Sequence, residues 1–229
     1  MTATDDAFAR LQSLPQTRLD FRANPCITQP KVITLPKTGG KATLFPVNNT
    51  TSTSVPESLF EYMHQEFNHA VEEGLTYPHH ETMDSDQFRG YWFCSFVAIL
   101  IKGEWESLKD ADKNGTTNWE TEFLGTYYVK PNYIGRCSHN CNGGFLVNRK
   151  IRGMGLGEAL GKTYLDWAPR LGYTYSVFNL VFVTNVASWK IWDKLGFNRI
   201  GYIPGVGILK GVDHPVDAIM YGIELKVKE

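Results

Sequence analysis

This chain of 229 residues has few cysteines, no long hydrophobic run and almost no net charge. Its four cysteines are too few and too scattered for a disulfide framework. The longest apolar stretch, residues 93–101, is far too short to cross a bilayer. With a net charge of -1, the chain has no general attraction for nucleic acid or membrane surfaces. The N-terminus lacks an apolar signal core, so we expect a cytoplasmic protein.

Metal-binding residues are also sparse. The stretch Cys137-Ser-His139-Asn-Cys141 brings three possible ligands together, but a structural zinc ion needs four. The other cluster, His79-His80, does not complete such a set. We therefore predict no metal site and interpret the two cysteines as reduced thiols on either side of a turn.

The order of predicted elements indicates one α/β domain with an N-terminal arm. Two short strands, one of them at residues 31–36, precede two helices, a buried strand and a polar connection over residues 102–121. Two strands, a helix, a strand, a helix and two closing strands follow. We assign residues 1–40 to the arm, including a short helix at residues 8–14, and residues 41–229 to the domain. This order is typical of a mixed sheet wrapped by helices, not of a doubly wound dehydrogenase.

A glycine-rich stretch between a strand and a helix is the feature on which the rest depends. An apolar strand at residues 144–147 leads into the basic, glycine-rich residues 149–157, and a helix follows from Leu156 to Trp167. Glycines allow backbone N–H groups to converge on one point, and a helix N-terminus adds partial positive charge. The pattern predicts a phosphate cradle, to which three basic residues add formal charge: Arg149, Lys150 and Arg152.

Several known patterns can be compared with this stretch. Gly161-Lys162-Thr163 matches the end of a Walker loop, but the opening glycine of that loop would have to stand at Leu156. The dinucleotide-binding pattern begins well at Gly153 but requires glycine or alanine where Glu158 stands. A third pattern, Arg-x-x-Gly-x-Gly, fits residues 152–157. A glycine-rich turn without a ligand is a fourth possibility.

A second motif narrows the choice. Residues 185–197 read Asn-Val-Ala-Ser-Trp-Lys-Ile-Trp-Asp-Lys-Leu-Gly-Phe, an asparagine after a strand and then a helix that ends in Lys-Leu-Gly-Phe. In this order the two motifs resemble the GNAT superfamily of N-acetyltransferases. The resemblance implies a mainly antiparallel α/β sheet that is splayed at the cofactor strand, with acetyl-CoA as cosubstrate. It places cofactor contacts at Phe145, Leu146, Val147, Arg152, Gly153, Met154, Gly155, Leu156, Gly157 and Asn185.

Within that superfamily, residues 131–148 and 175–195 resemble the fungal L-azetidine-2-carboxylate N-acetyltransferases. This resemblance implies a cytosolic homodimer that acetylates small cyclic amino acids, with a proline-metabolism intermediate, pyrroline-5-carboxylate or its open-chain semialdehyde, as the natural acceptor. It places Asn142 and Asn179 in the acceptor and catalytic site, with Leu180 as a further substrate contact. Asparagine is rare within strands, and Asn179 is equally compatible with a structural amide satisfied by the backbone.

The proton-transfer groups are less evident. Many members of the superfamily carry a tyrosine acid where this sequence has Trp192, and an indole cannot serve as that acid. His139, Glu122 and Tyr77 are weak candidates for a base, so none is assigned. We expect direct acyl transfer to a small molecule. A degenerate domain that binds acetyl-CoA as a sensor or scaffold is the main alternative, and acetylation of peptides or polyamines is a third.

Overall fold

A computed structural model describes residues 27–48, 51–151 and 153–227. The helix expected at residues 8–14 lies outside these ranges. Within them, the strands are β1 Lys31–Thr34, β2 Lys41–Val47, β3 Phe96–Lys102, β4 Phe123–Pro131, β5 Asn140–Val147, β6 Tyr175–Phe182, β7 Asn198–Gly207 and β8 Val216–Glu224. The α-helices are α1 Glu57–Glu73, α2 Ser85–Trp92, α3 Leu108–Asp112, α4 Trp119–Glu122, α5 Leu156–Arg170 and α6 Val186–Lys194.

The strands of the described residues form one sheet in the order β1-β2-β3-β4-β5-β6-β8-β7. All neighbouring strands are antiparallel except β5 and β6, which are parallel. That parallel pair is joined only where Asn140 and Cys141 face Tyr175 and Ser176. Beyond this point β5 and β6 diverge, so the sheet opens in its middle. The mixed, mainly antiparallel and splayed sheet is confirmed.

Two apolar cores cover the two faces of the sheet. On one face, α1 and α2 pack through a cluster that includes Phe60, Phe67 and Trp92. On the other face, α5 and α6 pack through a cluster that includes Trp167 and Trp192. The sheet is therefore buried on both sides, as a three-layer arrangement requires.

Local signals place most element ends correctly. The helix expected from Pro56-Glu57 ends as predicted at Gly74, which has a left-handed φ of 67°. Asp84 caps α2 by accepting from the Gln87 backbone, as a capping box. Residues 102–121 were expected to be a polar connection without secondary structure, but they contain α3 and most of α4. Ser107 caps the start of α3 and Asn118 caps the start of α4. Within the described residues, no helix combines the length and apolar character needed to span a membrane.

Candidate functional site

The divergence of β5 and β6 opens a cavity of about 670 Å³. Its walls come from the second half of β5, the glycine-rich loop, the start of α5, the middle of β6 and α6. Three tyrosines, Tyr77, Tyr91 and Tyr128, line it as well. The structure thus brings together on one cavity most of the residues that the sequence motifs predicted.

The glycine loop has the backbone geometry of an anion cradle. Gly153 and Gly155 have φ angles of 83° and 77°, which side-chain-bearing residues rarely adopt. Gly155 is the N-cap of α5, and among the described residues no side chain caps this helix start. The first N–H groups of α5 are therefore available to an anion. Met154 is exposed and does not line the cavity, and Arg152 lies outside the described residues.

The Walker pattern, which the sequence already fails to complete at Leu156, is also absent from the structure, since Gly161, Lys162 and Thr163 all lie inside α5. Gly161 faces α6, and a Cβ atom there would come within 2.4 Å of the Leu195 Cδ1 atom. Lys162 pairs with Glu158 at 2.8 Å, and the Thr163 hydroxyl donates to a carbonyl of its own helix. These residues serve helix packing and helix stability.

The basic residues at the start of the loop do not all face the cradle. Arg149 donates from its backbone N–H and from Nε to the buried Glu66 carboxylate, both at 2.9 Å. Lys150 lies 4.0 Å from a carboxylate oxygen of Glu120. Neither Arg149 nor Lys150 lines the cavity, so their expected role beside the phosphate is not supported. Glu66 lies on the buried face of α1. A buried carboxylate needs a partner, so a charged residue at this position was the sequence signal for the contact with Arg149.

A different cation lies at the loop. Lys37, in the turn between β1 and β2, lines the cavity, and its Nζ atom donates to the Gly153 carbonyl at 2.5 Å. Lys37 falls within the predicted N-terminal arm and belongs to none of the predicted site residues. Nothing local to Lys37 indicates the contact, which joins residues that are 116 positions apart.

The two predicted acceptor-site asparagines are joined by a third, Asn132, which the sequence analysis did not identify. Its Oδ1 atom accepts from Nδ2 of Asn179 at 2.6 Å and from Nδ2 of Asn142 at 3.1 Å. Its Nδ2 atom donates to Oδ1 of Asn179 at 3.2 Å. Asn142 and Asn179 line the cavity, and each NH₂ group retains a second hydrogen after bonding to Asn132.

The backbone explains how Asn179 reaches the cavity. Phe178 faces Tyr221 of β8 and Val181 faces Ile219, so the intervening Asn179 and Leu180 form a β-bulge. Both residues line the cavity, with Leu180 37% exposed. Asn142 lies within β5, which begins four residues earlier than predicted.

The three tyrosines form a wall of hydroxyl groups, in which Tyr128 is buried and Tyr77 and Tyr91 are partly buried. Tyr77 donates to the Phe145 carbonyl at 2.9 Å, and the hydroxyls of Tyr91 and Tyr128 lie 3.3 Å apart. Burial raises the pKa of all three, so they stay protonated at neutral pH. The Tyr128 ring also explains Gly144 of the Gly-Gly pair in β5, because a Cβ atom there would lie 2.4 Å from that ring.

Of the three candidate bases named from the sequence, only Tyr77 lines the cavity, and its raised pKa keeps the hydroxyl protonated. His139 is exposed and contacts Asn140, and Glu122 contacts Thr121. His79 does not line the cavity but lies beside it: its ring centroid is 5.0 Å from that of Tyr91, and its buried Nδ1 atom has no hydrogen-bond partner among the described residues. Desolvation, and then the charge of Lys130, lower the pKa of His79, so its imidazole is neutral at neutral pH.

The start and middle of α6 form the remaining wall. Asn185 caps α6 by accepting from the Ser188 backbone at 3.2 Å, and it lines the cavity. Trp192 also lines the cavity, is buried, and donates from Nε1 to the Ser188 hydroxyl at 2.9 Å. Its ring lies 4.9 Å from Phe145 and 4.6 Å from Phe178. Trp192 is therefore an apolar wall element with its one donor already engaged.

Metal ligands do not converge in the described part of the chain, where no three His, Cys, Asp or Glu side chains form a possible ion site. Cys141 is buried with its Sγ atom 3.1 Å from the Tyr164 hydroxyl, whereas Cys137 is exposed. The two thiols thus occupy different environments.

Comparisons with known proteins agree with this geometry. The model of the acetyltransferase (GNAT) family matches residues 76–197. N-acetyltransferase aca1 of Schizosaccharomyces pombe is 40% identical over 177 residues, which cover 76% of this chain and 84% of that protein. Protein SPT10 of Saccharomyces cerevisiae is 36% identical over 86% of this chain, which spans only 36% of that longer protein.

Solved structures share the fold. A GCN5-related N-acetyltransferase from Kribbella flavida has a TM-score of 0.63 and 23% identity, over 80% of this chain and 98% of its own. The acetyltransferase yncA from Salmonella typhimurium, solved with acetyl-CoA, has a TM-score of 0.57 and 18% identity, over 81% of this chain and 94% of its own. The chain therefore belongs to the acetyltransferase (GNAT) family and is an acetyl-CoA-dependent N-acetyltransferase.

Proposed function

We propose that this enzyme transfers the acetyl group directly to the amine of a small cyclic amino acid such as L-azetidine-2-carboxylate. A proline-metabolism intermediate, pyrroline-5-carboxylate in its open-chain semialdehyde form, is the proposed natural acceptor, because the open form carries the free amine that the ring imine lacks. The observation that carries the proposal is the Asn132–Asn142–Asn179 cluster, in which Asn132 holds the two amides that line the cavity, each with one N–H that Asn132 does not use. Neutral amide donors suit a substrate that carries a carboxylate.

The charges around the cavity disfavour a polyamine acceptor. Such a site should present free carboxylates, but Glu158 is the one acidic residue that lines the cavity among those described. It is bonded to Lys162 at 2.8 Å and to Lys194 at 2.7 Å, and these partners lower its pKa. A zwitterionic amino acid therefore fits this lining better than a polycation does.

The cofactor is proposed to lie along the other half of the cavity. The edge of β5 at Phe145, Leu146 and Val147 is free of β6 there, and it would bind the amide-bearing arm of acetyl-CoA together with Asn185. The loop at residues 152–157 would hold the pyrophosphate, and a Cβ atom on Gly153 would meet nothing within 4 Å, which leaves room for an anion.

In the reaction, the neutral acceptor amine attacks the thioester carbonyl carbon. A C–N bond forms, the C–S bond breaks, and the proton of the resulting ammonium passes to water. Asn142 and Asn179 are proposed to donate their second amide hydrogens to the acceptor carboxylate or to the developing oxyanion. Trp192 supplies no proton, so the thiolate leaves unassisted by that residue or takes a proton from water.

An acceptor screen tests this proposal. Thiol release would be measured at saturating acetyl-CoA with azetidine-2-carboxylate, spermidine and a lysine-containing peptide. We expect turnover with the cyclic amino acid and little with the other two. Preference for spermidine or the peptide would contradict the acceptor assignment. Tight CoA binding without thiol release from any acceptor would instead support the sensor alternative.

We also propose that the enzyme is a homodimer, as the resemblance to the fungal enzymes implies. Strand β7 lies at one edge of the sheet, and Ile200, Tyr202 and Val206 on it are 46%, 57% and 41% exposed. An apolar edge strand of this kind is a common pairing surface. Sedimentation of the wild type and of Tyr202→Lys tests this, since a monomeric wild type would contradict it.

A further inference from the structure

We infer that Lys37, in the turn between β1 and β2, binds the pyrophosphate of acetyl-CoA. The inference rests on one part of the proposed function, the assignment of the glycine loop as the phosphate site. It adds a charged group that lies far from that loop in the sequence and belongs to none of the motifs described above.

The β1–β2 hairpin is held against the helix that follows the loop. Lys31 pairs with Asp166 of α5 at 2.7 Å. At the other end of β1, a Cβ atom on Gly155 would lie 3.4 Å from Cγ of Pro36. The hairpin therefore lies along α5, with its turn beside the N-terminus of that helix, where an anion would bind.

The turn that carries Lys37 is well defined. The Leu35 backbone N–H donates to the Gly40 carbonyl at 2.8 Å, and the Gly39 N–H donates to the Leu35 carbonyl at 3.0 Å. Gly39 has a φ of 69°, which closes the turn. Because this backbone is fixed on both sides, Lys37 needs to move only its side chain to follow a ligand.

The other described cations near the loop are already paired with acids. Arg149 is bound to Glu66 and Lys150 lies by Glu120, while Lys194 is bound to Glu158. Lys37, in contrast, has no carboxylate partner among the described residues, and its Nζ atom donates to the neutral Gly153 carbonyl. A phosphate oxygen is a stronger acceptor for an ammonium group than a carbonyl oxygen is. An arriving pyrophosphate would therefore take over this hydrogen bond, while the carbonyl keeps Lys37 in position beforehand.

A binding experiment with a matched control tests the inference. CoA and 3′-dephospho-CoA would be titrated calorimetrically into the wild type, Lys37→Met and Lys41→Met. Lys41 lies in the same hairpin, donates to the Thr34 hydroxyl at 3.2 Å and does not line the cavity. The two variants thus lose the same charge from the same hairpin.

We expect Lys37→Met to weaken both ligands about tenfold at low salt, and Lys41→Met to change either by less than about twofold. The difference in CoA affinity between the wild type and Lys37→Met should decrease as ionic strength rises, because salt screens the attraction between an exposed lysine and a phosphate. If Lys37→Met weakens the binding of CoA but not of 3′-dephospho-CoA, Lys37 contacts the 3′-phosphate, and the pyrophosphate assignment is wrong. Equal affinities for the wild type and Lys37→Met would overturn the inference altogether.

Gly155→Glu separates this inference from the loop assignment. It puts a carboxylate into the cradle, so CoA binding should be lost while the melting curve stays cooperative. If Gly155→Glu loses CoA binding and Lys37→Met keeps it, the loop remains the phosphate site and only the role of Lys37 is refuted. Normal CoA affinity in Gly155→Glu would refute the loop assignment itself.

Discussion

Replacing Asn132 by alanine tests whether the three asparagines act as a unit. Asn132 makes three hydrogen bonds to its two neighbours, at 2.6, 3.1 and 3.2 Å. A buried hydrogen bond contributes roughly 0.5–1.5 kcal/mol net. Because the three asparagine side chains are only partly buried, water can replace many of the hydrogen bonds that the substitution removes. We expect a destabilisation of about 1–2 kcal/mol, which lowers the Tm of a chain of this size by roughly 2–8 °C.

The kinetic effect should be larger than the loss of stability explains. A domain with about 5–15 kcal/mol of stability remains folded after such a change. Without Asn132, however, Asn142 and Asn179 lose the group that fixes both amides. A displacement of about 1 Å at a reacting centre costs on the order of 100-fold in rate. We therefore expect kcat/KM for azetidine-2-carboxylate to fall about 100-fold, with the affinity for acetyl-CoA little changed.

Thiol-release kinetics at saturating acetyl-CoA measure this effect, with the Tm recorded for each variant. Asn140→Ala is the matched control, because Asn140, the first residue of β5, donates to the Cys137 carbonyl in the preceding turn at 3.0 Å and does not line the cavity. It should alter stability but not kcat/KM. Asn132→Asp keeps the acceptor for both neighbouring amides and should retain more activity, unless its charge repels the acceptor carboxylate. Normal kinetics in Asn132→Ala, or a loss only in proportion to unfolded protein, would refute the acceptor-site interpretation.

Three further predictions follow from the cavity walls. Gly144→Ala should destabilise the fold by roughly 1–3 kcal/mol in a denaturant titration, since its Cβ atom would lie 2.4 Å from the Tyr128 ring, whereas Gly90→Ala, with nothing within 4 Å, should be neutral or stabilising. Trp192→Phe should lower turnover less than about tenfold and in step with stability, and a collapse of kcat in a stable variant would contradict a packing role. Between about pH 7 and 9, kcat/KM should rise about tenfold per pH unit as the acceptor ammonium deprotonates. Tyr77, Tyr91 and His79 should not contribute, because the raised pKa values keep the two tyrosines protonated and the lowered pKa keeps His79 neutral over this range. A plateau beginning near pH 7 would instead reveal a protein base.

The fold and the glycine loop were predictable because their signals are local. Alternating and continuous apolar runs mark the strands, Gly74 ends α1 at a left-handed residue, and Gly153 and Gly155 occur where φ is positive. Short helices within polar residues 102–121 carried a weaker signal, since only Ser107 and Asn118 as caps distinguish them from loop.

The charges at the loop were not predictable from the same local signals. Formal charge beside the glycines suggested Arg149, but its destination is set by Glu66 on a helix 83 residues earlier. The residue that does lie at the loop, Lys37, precedes Gly153 by 116 positions. Each contact depends on which elements the sheet order brings together, and the spacing of residues within one motif contains no such information.

The asparagines show this most clearly, because one residue type has three roles in the same region. Asn148 is fully buried, and its amide donates to the carbonyls of Glu120 and Phe123, so it fixes the exit of β5. Asn185 caps a helix. Asn179 stood out in the sequence because an amide inside a strand needs an explanation, and the family resemblance assigned it to the acceptor site; the bulge and Asn132 now explain its position. A polar residue that contradicts its local environment can therefore be identified from the sequence, whereas its partner is set by tertiary structure.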